Sequence, residues 1–395
     1  MASKKEQAWA QETGASGSGD PGTAASSTRR SWQRSLVLVL CLRLYYSVFA
    51  AIIALIQPVN WRLVHSNALT ENLPPPAPTI PYLVFGVWER FDTLWYLHIS
   101  AQGYDRPEAV VFFPLYPILI RAASWFLPPM AVALAISTLA AFFTFWGLKE
   151  LLRAELSPDR VDQTLFLCAV WPASFIFFAA YPESTLLAFI VWSLVMARKE
   201  RWLAAALLGF AASITKAAGV LVLVPLSTMA LRRPRKAALL LVLVPLGSAL
   251  FLGWLHSTGH VVLSSAYATY WRTLTALPWM TLWRGLESLV HHPTPILALN
   301  FAFLLTDCFL VARSQLRIEY LLYSVAAIVL FLSKETTPPL ESMMRYLVIV
   351  FPAFVGAARW LQNPRFEPRF GIVCMALFIM NCGLMWLFLG WSLVL

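Results

Sequence analysis

Charged side chains are scarce in this chain: Asp, Glu, Lys and Arg make up 13% of its 395 residues, against roughly 25% in an ordinary soluble domain. Hydrophobic residues fill 59%, an imbalance that excludes a large water-soluble domain. Cysteine offers no scaffold either. Cys41, Cys168, Cys308, Cys374 and Cys382 all fall inside apolar runs without a CxxC spacing, so neither a disulfide framework nor a zinc site is indicated, and they read as small packing residues. The formal charge of +10 comes as short basic knots between hydrophobic runs. A stripe or patch that would grip nucleic acid is missing, and the knots read as membrane topology signals.

What is present is a succession of apolar runs near bilayer-spanning length, each bounded by Pro, Arg, Lys or polar clusters. Spans are predicted at 36–57, 127–148, 162–180, 184–197, 202–216, 217–231, 237–256, 292–312, 318–333, 346–361 and 371–393. The pair meeting at Lys216 could instead form one bent helix, so ten spans stay open beside eleven. Residues 1–34, rich in Gly, Ser, Ala and Thr with basic Lys4, Lys5, Arg29, Arg30 and Arg34, read as a disordered cytoplasmic tail. Ser35–Ile56 reads as the first span and not as a cleaved signal, which leaves 35–395 as one integral membrane unit. With eleven spans and the amino terminus inside, twenty of the thirty Lys and Arg residues fall on the cytoplasmic side, as the positive-inside rule requires.

Three connections then fall on the outer face: 58–126, 257–291 and 334–345. The first two are rich in Trp and Tyr and hold amphipathic pieces such as FFPLYPILIRAASWFL, suited to helices lying in the interface plane. Work at the outer membrane surface on a partly lipidic substrate is implied.

The stretch WERFDTLWYLHISAQGYDRP, 88–107, concentrates polar groups there. A helix through it sets Asp92, Trp95, Tyr96 and Ile99 on one side, so the carboxylate sits beside rings, a setting for a general base. The plainer alternative is that Asp92 pairs with Arg90 or caps the helix. Downstream, FFPLYP (112–117) reads as scaffold. Glu183, in YPES, either supports a helix start through the macrodipole or orients a substrate hydroxyl. Lys334 and Arg345, flanking the third outer connection, either bind a phosphate or snorkel to lipid headgroups.

Arg43, Lys216 and Asp307 fall within spans, where charge is costly unless it faces the bundle interior; Arg43 and Asp307 are one conceivable pair. His98 follows Asp92 at a spacing poor for shared ligation, and His291 and His292 are adjacent on one connection, so no metal ligand set is assigned.

In order, WERFDTLWYLHISAQGYDRP, VVFFPLYPILIR, AAYPESTLLAF, ITKAAGVLVLVP and SMMRYLVIVFPAF resemble the PIG-V family of mannosyltransferases across about residues 40–365. The first block carries most of the specificity. The resemblance implies a GT-C-type fold: an all-α polytopic bundle with interfacial helices in the first outer loop, where 58–126 is the catalytic segment. It also implies an inverting enzyme that takes mannose from a polyprenyl phosphate carrier on the non-cytoplasmic face. The eukaryotic namesake adds the second mannose to the glycosylphosphatidylinositol precursor. Residue usage here suggests a bacterial homologue in the plasma membrane, with undecaprenyl phosphate replacing dolichol and a lipid, glycan or protein acceptor.

On this reading Asp92 is the catalytic base, and Arg90, Tyr96, His98, Tyr104, Glu183, Lys216, Lys334, Arg345 and Tyr346 surround the substrates. No cofactor is assigned; a divalent cation is left open. The rival class is a transporter or flippase of lipid-linked sugars, motivated by the intramembrane charges and the break at ITKAAG. The absence of an internal repeat weighs against it.

Overall fold

The computed structural model describes residues 21–65, 68–71, 77–231, 233, 235–363 and 367–393. Their helices include α1 (Pro21–Ile56), α2 (Asp92–Gln102), α3 (Leu115–Ala123), α4 (Pro129–Leu152), α5 (Pro158–Val170), α6 (Glu183–Arg198), α7 (Trp202–Thr215), α8 (Leu223–Ala230) and α9 (Leu243–Ser257). After the strand β1 (Thr273–Thr275) come α10 (Pro278–His291), α11 (Pro295–Arg313) and α12 (Ile318–Leu332). The strand β2 (Lys334–Thr336) leads to α13 (Met343–Leu347), α14 (Pro352–Leu361) and α15 (Phe370–Leu389).

Prolines open α4, α5, α10, α11 and α14, where the missing amide would have had no intrahelical partner. Among the described residues, five helices are long and apolar enough to cross a membrane: Trp32–Ile56, Pro129–Leu152, Lys236–Ser257, Pro295–Arg313 and Glu367–Leu389. Every one of the eleven expected spans meets helix, though several are interrupted. The span expected at 162–180 breaks at Trp171, whose backbone turns extended before Pro172, because a proline disfavours helical geometry in the residue ahead of it. A short 3₁₀ turn, Ser174–Phe177, follows.

Helix α1 begins at Pro21, so residues 21–34 are helical where composition suggested a disordered tail. A proline start and an Ala- and Ser-containing run are compatible with helix. Residues 1–20, the rest of that expectation, lie outside the described residues.

At Lys216 the backbone is extended (φ −162°, ψ 150°) between α7 and a 3₁₀ turn, Ala217–Val222. The chain doubles back there: a Cβ on Gly219 would overlap the carbonyl oxygen of Ala212. Only glycine permits this approach. Non-helical backbone at Lys216 therefore divides the two segments.

The expected Arg43–Asp307 pair does not form. Arg43 donates to the Phe178 carbonyl at 2.6 Å and to Ser47 Oγ at 3.0 Å, and its guanidinium lies over Trp88. Asp307 is buried on α11 with Oδ1 unpartnered among the described residues. A nearby carbonyl and an aromatic face satisfy the arginine locally.

Two of the three connections expected on one face are stitched together. Strands β1 and β2 pair antiparallel, Thr273 opposite Thr336 and Thr275 opposite Lys334. Arg284 of α10 adds an ion pair to Glu335. This small sheet ties 257–291 to 334–345 and closes one side of a pocket.

Candidate active site

Asp92 opens α2, and its position depends on the two residues before it. Phe91 sits at φ 48°, a strained setting for a bulky side chain. Its ring is held between Phe388 and Trp391, with centroids 5.5 and 4.7 Å away. Arg90 is buried and donates to the carbonyls of Leu389 (2.7 Å), Glu89 (3.0 Å) and Gly86 (3.3 Å), and to Tyr82 Oη (3.0 Å). Both residues therefore clamp the segment to the end of α15. Gly103, at φ 79°, closes α2 with its amide bonded to Ile99.

Arg90 was expected beside Asp92 or beside substrate. It neither pairs with Asp92 nor lines the pocket, because its donors are spent on backbone carbonyls and the Tyr82 hydroxyl. Asp92 pairs instead with Arg345: Nη1 donates to Oδ2 at 2.5 Å. The backbone amide of Asp92, one of the free amides of a helix start, donates to Tyr181 Oη at 3.3 Å.

Arg345 is buried and continues the chain of charges. Its Nε lies 3.5 Å from Glu183 Oε1, which accepts from Lys216 Nζ at 2.6 Å. Its guanidinium also faces the rings of Tyr181 and Tyr346, at 5.3 and 5.1 Å. Burial works against the Arg345 charge, but Asp92, Tyr346 and Glu183 outweigh it and hold the group well above the ordinary arginine value. Glu183 sits in the first turn of α6, as the helix-start reading expected, yet it also fixes both cations. A buried carboxylate survives only with such partners.

These groups border a cavity of about 140 Å³. Asp92, Tyr96, Lys216, Lys334, Arg345 and Tyr346 all line it, with Phe112, Phe113, Tyr267, Trp271 and Glu341. The ammonium of Lys334 lies 4.9 Å from the Tyr267 ring and 5.2 Å from that of Tyr346. Burial alone would lower its proton affinity; the two tyrosines reverse this, so the ammonium is raised. Lys216 stands 5.2 Å over the same Tyr346 ring. Three cations thus meet around one aromatic group.

Two other expected site residues lie elsewhere. His98 bonds Asp105 at 2.6 Å, and Tyr104 donates to the Phe112 carbonyl at 2.7 Å. Tyr104 borders a separate apolar cleft of about 480 Å³ with Ile99, Pro117, Ile118, Phe251 and Trp254. Distance along α2 explains the split: Tyr96 is one turn from Asp92 and shares the pocket, whereas Ile99, two turns on along the same face, and Gly103 border the cleft. Phe112 and Phe113 were read as scaffold and are walls of the pocket. Glu341, Tyr267 and Trp271 were missed, since nothing in their local spacing sets them apart from connection residues.

No family model and no curated protein matches the sequence. Among solved structures, the chain is similar to ArnT from Cupriavidus metallidurans, solved bound to undecaprenyl phosphate, with a TM-score of 0.50 and 14% identity, covering 90% of this chain and 76% of that one. It is also similar to the Archaeoglobus fulgidus oligosaccharyltransferase tethered with an acceptor peptide, with a TM-score of 0.41 and 11% identity over 89% of this chain and 55% of that one. The likeness to ArnT is one of fold: this chain is an all-α polytopic membrane protein whose helices share that arrangement.

Proposed function

We propose that the chain is an inverting glycosyltransferase that moves a hexose, mannose by its motif resemblance, from a polyprenyl phosphate carrier to a lipid, glycan or protein acceptor. The observation carrying this reading is the Asp92–Arg345 pair in a pocket that also presents Lys216 and Lys334. A carboxylate beside clustered cations suits a displacement in which an acceptor loses a proton as a phosphate departs. The ArnT structure was solved with undecaprenyl phosphate, and the shared fold supports a carrier of that class here.

Asp92 accepts the proton of the acceptor hydroxyl, and the acceptor oxygen attacks the anomeric carbon from the face opposite the phosphate. Arg345, Lys334 and Lys216 offset the charge that grows on the leaving phosphate. Arg345 has a second duty, since its bond to Asp92 Oδ2 fixes the carboxylate and leaves Oδ1 for the incoming hydroxyl. The apolar cleft beside Tyr104 offers the isoprenoid chain a surface adjoining α2.

The test is transfer from a labelled polyprenyl-phosphate hexose by purified protein in proteoliposomes. Label joined covalently to an acceptor supports the enzyme; label that only changes leaflets favours the transport alternative. Comparing lipids and surface glycans by mass spectrometry, with and without the gene, would identify sugar and acceptor through the missing hexose.

A further inference from the structure

Glu341 lines the pocket beside Asp92 and Arg345, and its backbone holds it there at a conformational cost. The residues on either side, Leu340 (φ 58°) and Ser342 (φ 64°), both adopt the left-handed region, which L-residues other than Asn and Asp seldom enter. Leu340 is buried over Gly285, and Ser342 is buried as well. The amide of Glu341 donates to Thr336 Oγ1 at 3.1 Å, and that hydroxyl donates to the Pro338 carbonyl at 2.8 Å. With both neighbours turned inward and the loop pinned to β2, the glutamate side chain is left at the pocket wall. Among the described residues no Lys, Arg or His lies within ion-pair distance of its carboxyl. Asp92 and Glu183, by contrast, are both tied to cations.

Taking the glycosyltransfer reading as its basis, we propose that Glu341 is the pocket's acid: in its neutral form it hydrogen-bonds the donor phosphate and hands that phosphate its proton as the sugar leaves. The step balances. The bond from the anomeric carbon to the phosphate oxygen breaks, and the bond to the acceptor oxygen forms. The acceptor proton goes to Asp92, and the Glu341 proton goes to the departing phosphate. Water then reprotonates Glu341 and deprotonates Asp92.

Electrostatics favours the neutral form. Burial, opposed by Arg345 and aided by Asp92, pushes the Glu341 carboxyl up to about 7. A phosphate monoester has its second ionisation near about 6, close enough for a proton to pass either way. With Glu341 neutral, Lys216, Lys334 and Arg345 face the carboxylates of Asp92 and Glu183, which leaves one positive charge for the anionic donor. The other titratable groups at the pocket are Tyr96, Tyr267 and Tyr346.

The test compares wild type, Glu341→Gln and Glu341→Asp in proteoliposomes, measuring hexose transfer from the labelled polyprenyl-phosphate donor between pH 5 and 9. Wild type is expected to lose activity above about pH 7. Glu341→Gln should fall at least about tenfold at pH 6 and lose that alkaline decline, whereas Glu341→Asp keeps the decline. Binding of farnesyl phosphate is the second readout: wild-type affinity should weaken through pH 7 more steeply than that of the Gln variant. A Gln variant within twofold of wild type and with the same pH profile, or parallel binding curves, would overturn the proposal. A wild type that neither transfers hexose nor binds farnesyl phosphate defeats the glycosyltransfer reading and this step with it, whereas the Gln results strike only this step.

Discussion

Arg345 Nη1 stands 2.5 Å from Asp92 Oδ2 across 253 residues of chain, and the same guanidinium reaches Glu183 at 3.5 Å. One buried cation therefore holds two carboxylates from different connections. Removing it leaves both without their shared partner.

Arg345→Ala is accordingly expected to destabilise the protein by about 3–5 kcal/mol, the usual cost of breaking a buried pair. A large drop in the thermal midpoint of detergent-solubilised protein would register it. Arg345→Lys, with a single point charge and no planar fork, should recover part of the midpoint but little transfer activity. Equal midpoints for wild type and Arg345→Ala would contradict the buried-pair assignment.

Lys216 and Glu183 should be energetically coupled, because their contact is 2.6 Å and Glu183 is almost wholly buried. A double-mutant cycle with Lys216→Met and Glu183→Gln is expected to show a coupling of about 0.5–3 kcal/mol. Additive losses in thermal midpoint would mean that the two side chains do not depend on each other.

Arg90→Ala should lower stability and the yield of active protein without changing the KM for donor in the active fraction. Its bonds run to Leu389, Glu89, Gly86 and Tyr82, and it does not line the pocket. A KM rise of tenfold with an unchanged thermal midpoint would instead restore it to the substrate site.

Stability should also carry the signature of Glu341. Its folded proton affinity is raised, from an ordinary 4.5 to about 7, so the folded state binds the proton more tightly than the unfolded chain. The resulting stabilisation is fully present below about pH 4.5 and is lost as pH rises through about 7. Thermal midpoints of wild type minus Glu341→Gln, followed from pH 4 to 8, should fall across that window. A flat difference would show that Glu341 does not titrate in this range.

Much of this architecture is legible in the chain because bilayer physics leaves few choices. Long apolar runs and basic knots marked out the expected spans but left α10 inside a connection, and the family resemblance grouped Asp92 with Tyr96, Lys216, Lys334, Arg345 and Tyr346, which line one pocket. Other relationships escaped for physical reasons. Arg90 and Asp92 are near in sequence, but the φ 48° of Phe91 turns them apart, and no spacing rule anticipates that kink. The pairing of β1 with β2 involves segments too short to carry an alternating pattern. Glu341 looked like any loop glutamate until the left-handed residues beside it aimed it at the pocket. His98 and Tyr104 followed Asp92 on the same stretch, yet the helix turn and Gly103 carry them away from it.

The central claim, that Asp92 takes a proton during transfer from a lipid phosphate, is tested most directly by one comparison. Wild type and Asp92→Asn, matched for folded protein in proteoliposomes, are given a labelled polyprenyl-phosphate hexose, and label joined covalently to acceptor is counted over time. Wild type is expected to transfer, and the Asn variant to be slower by about 10²- to 10⁴-fold. Transfer by Asp92→Asn at the wild-type rate would contradict the assignment of Asp92 as the base.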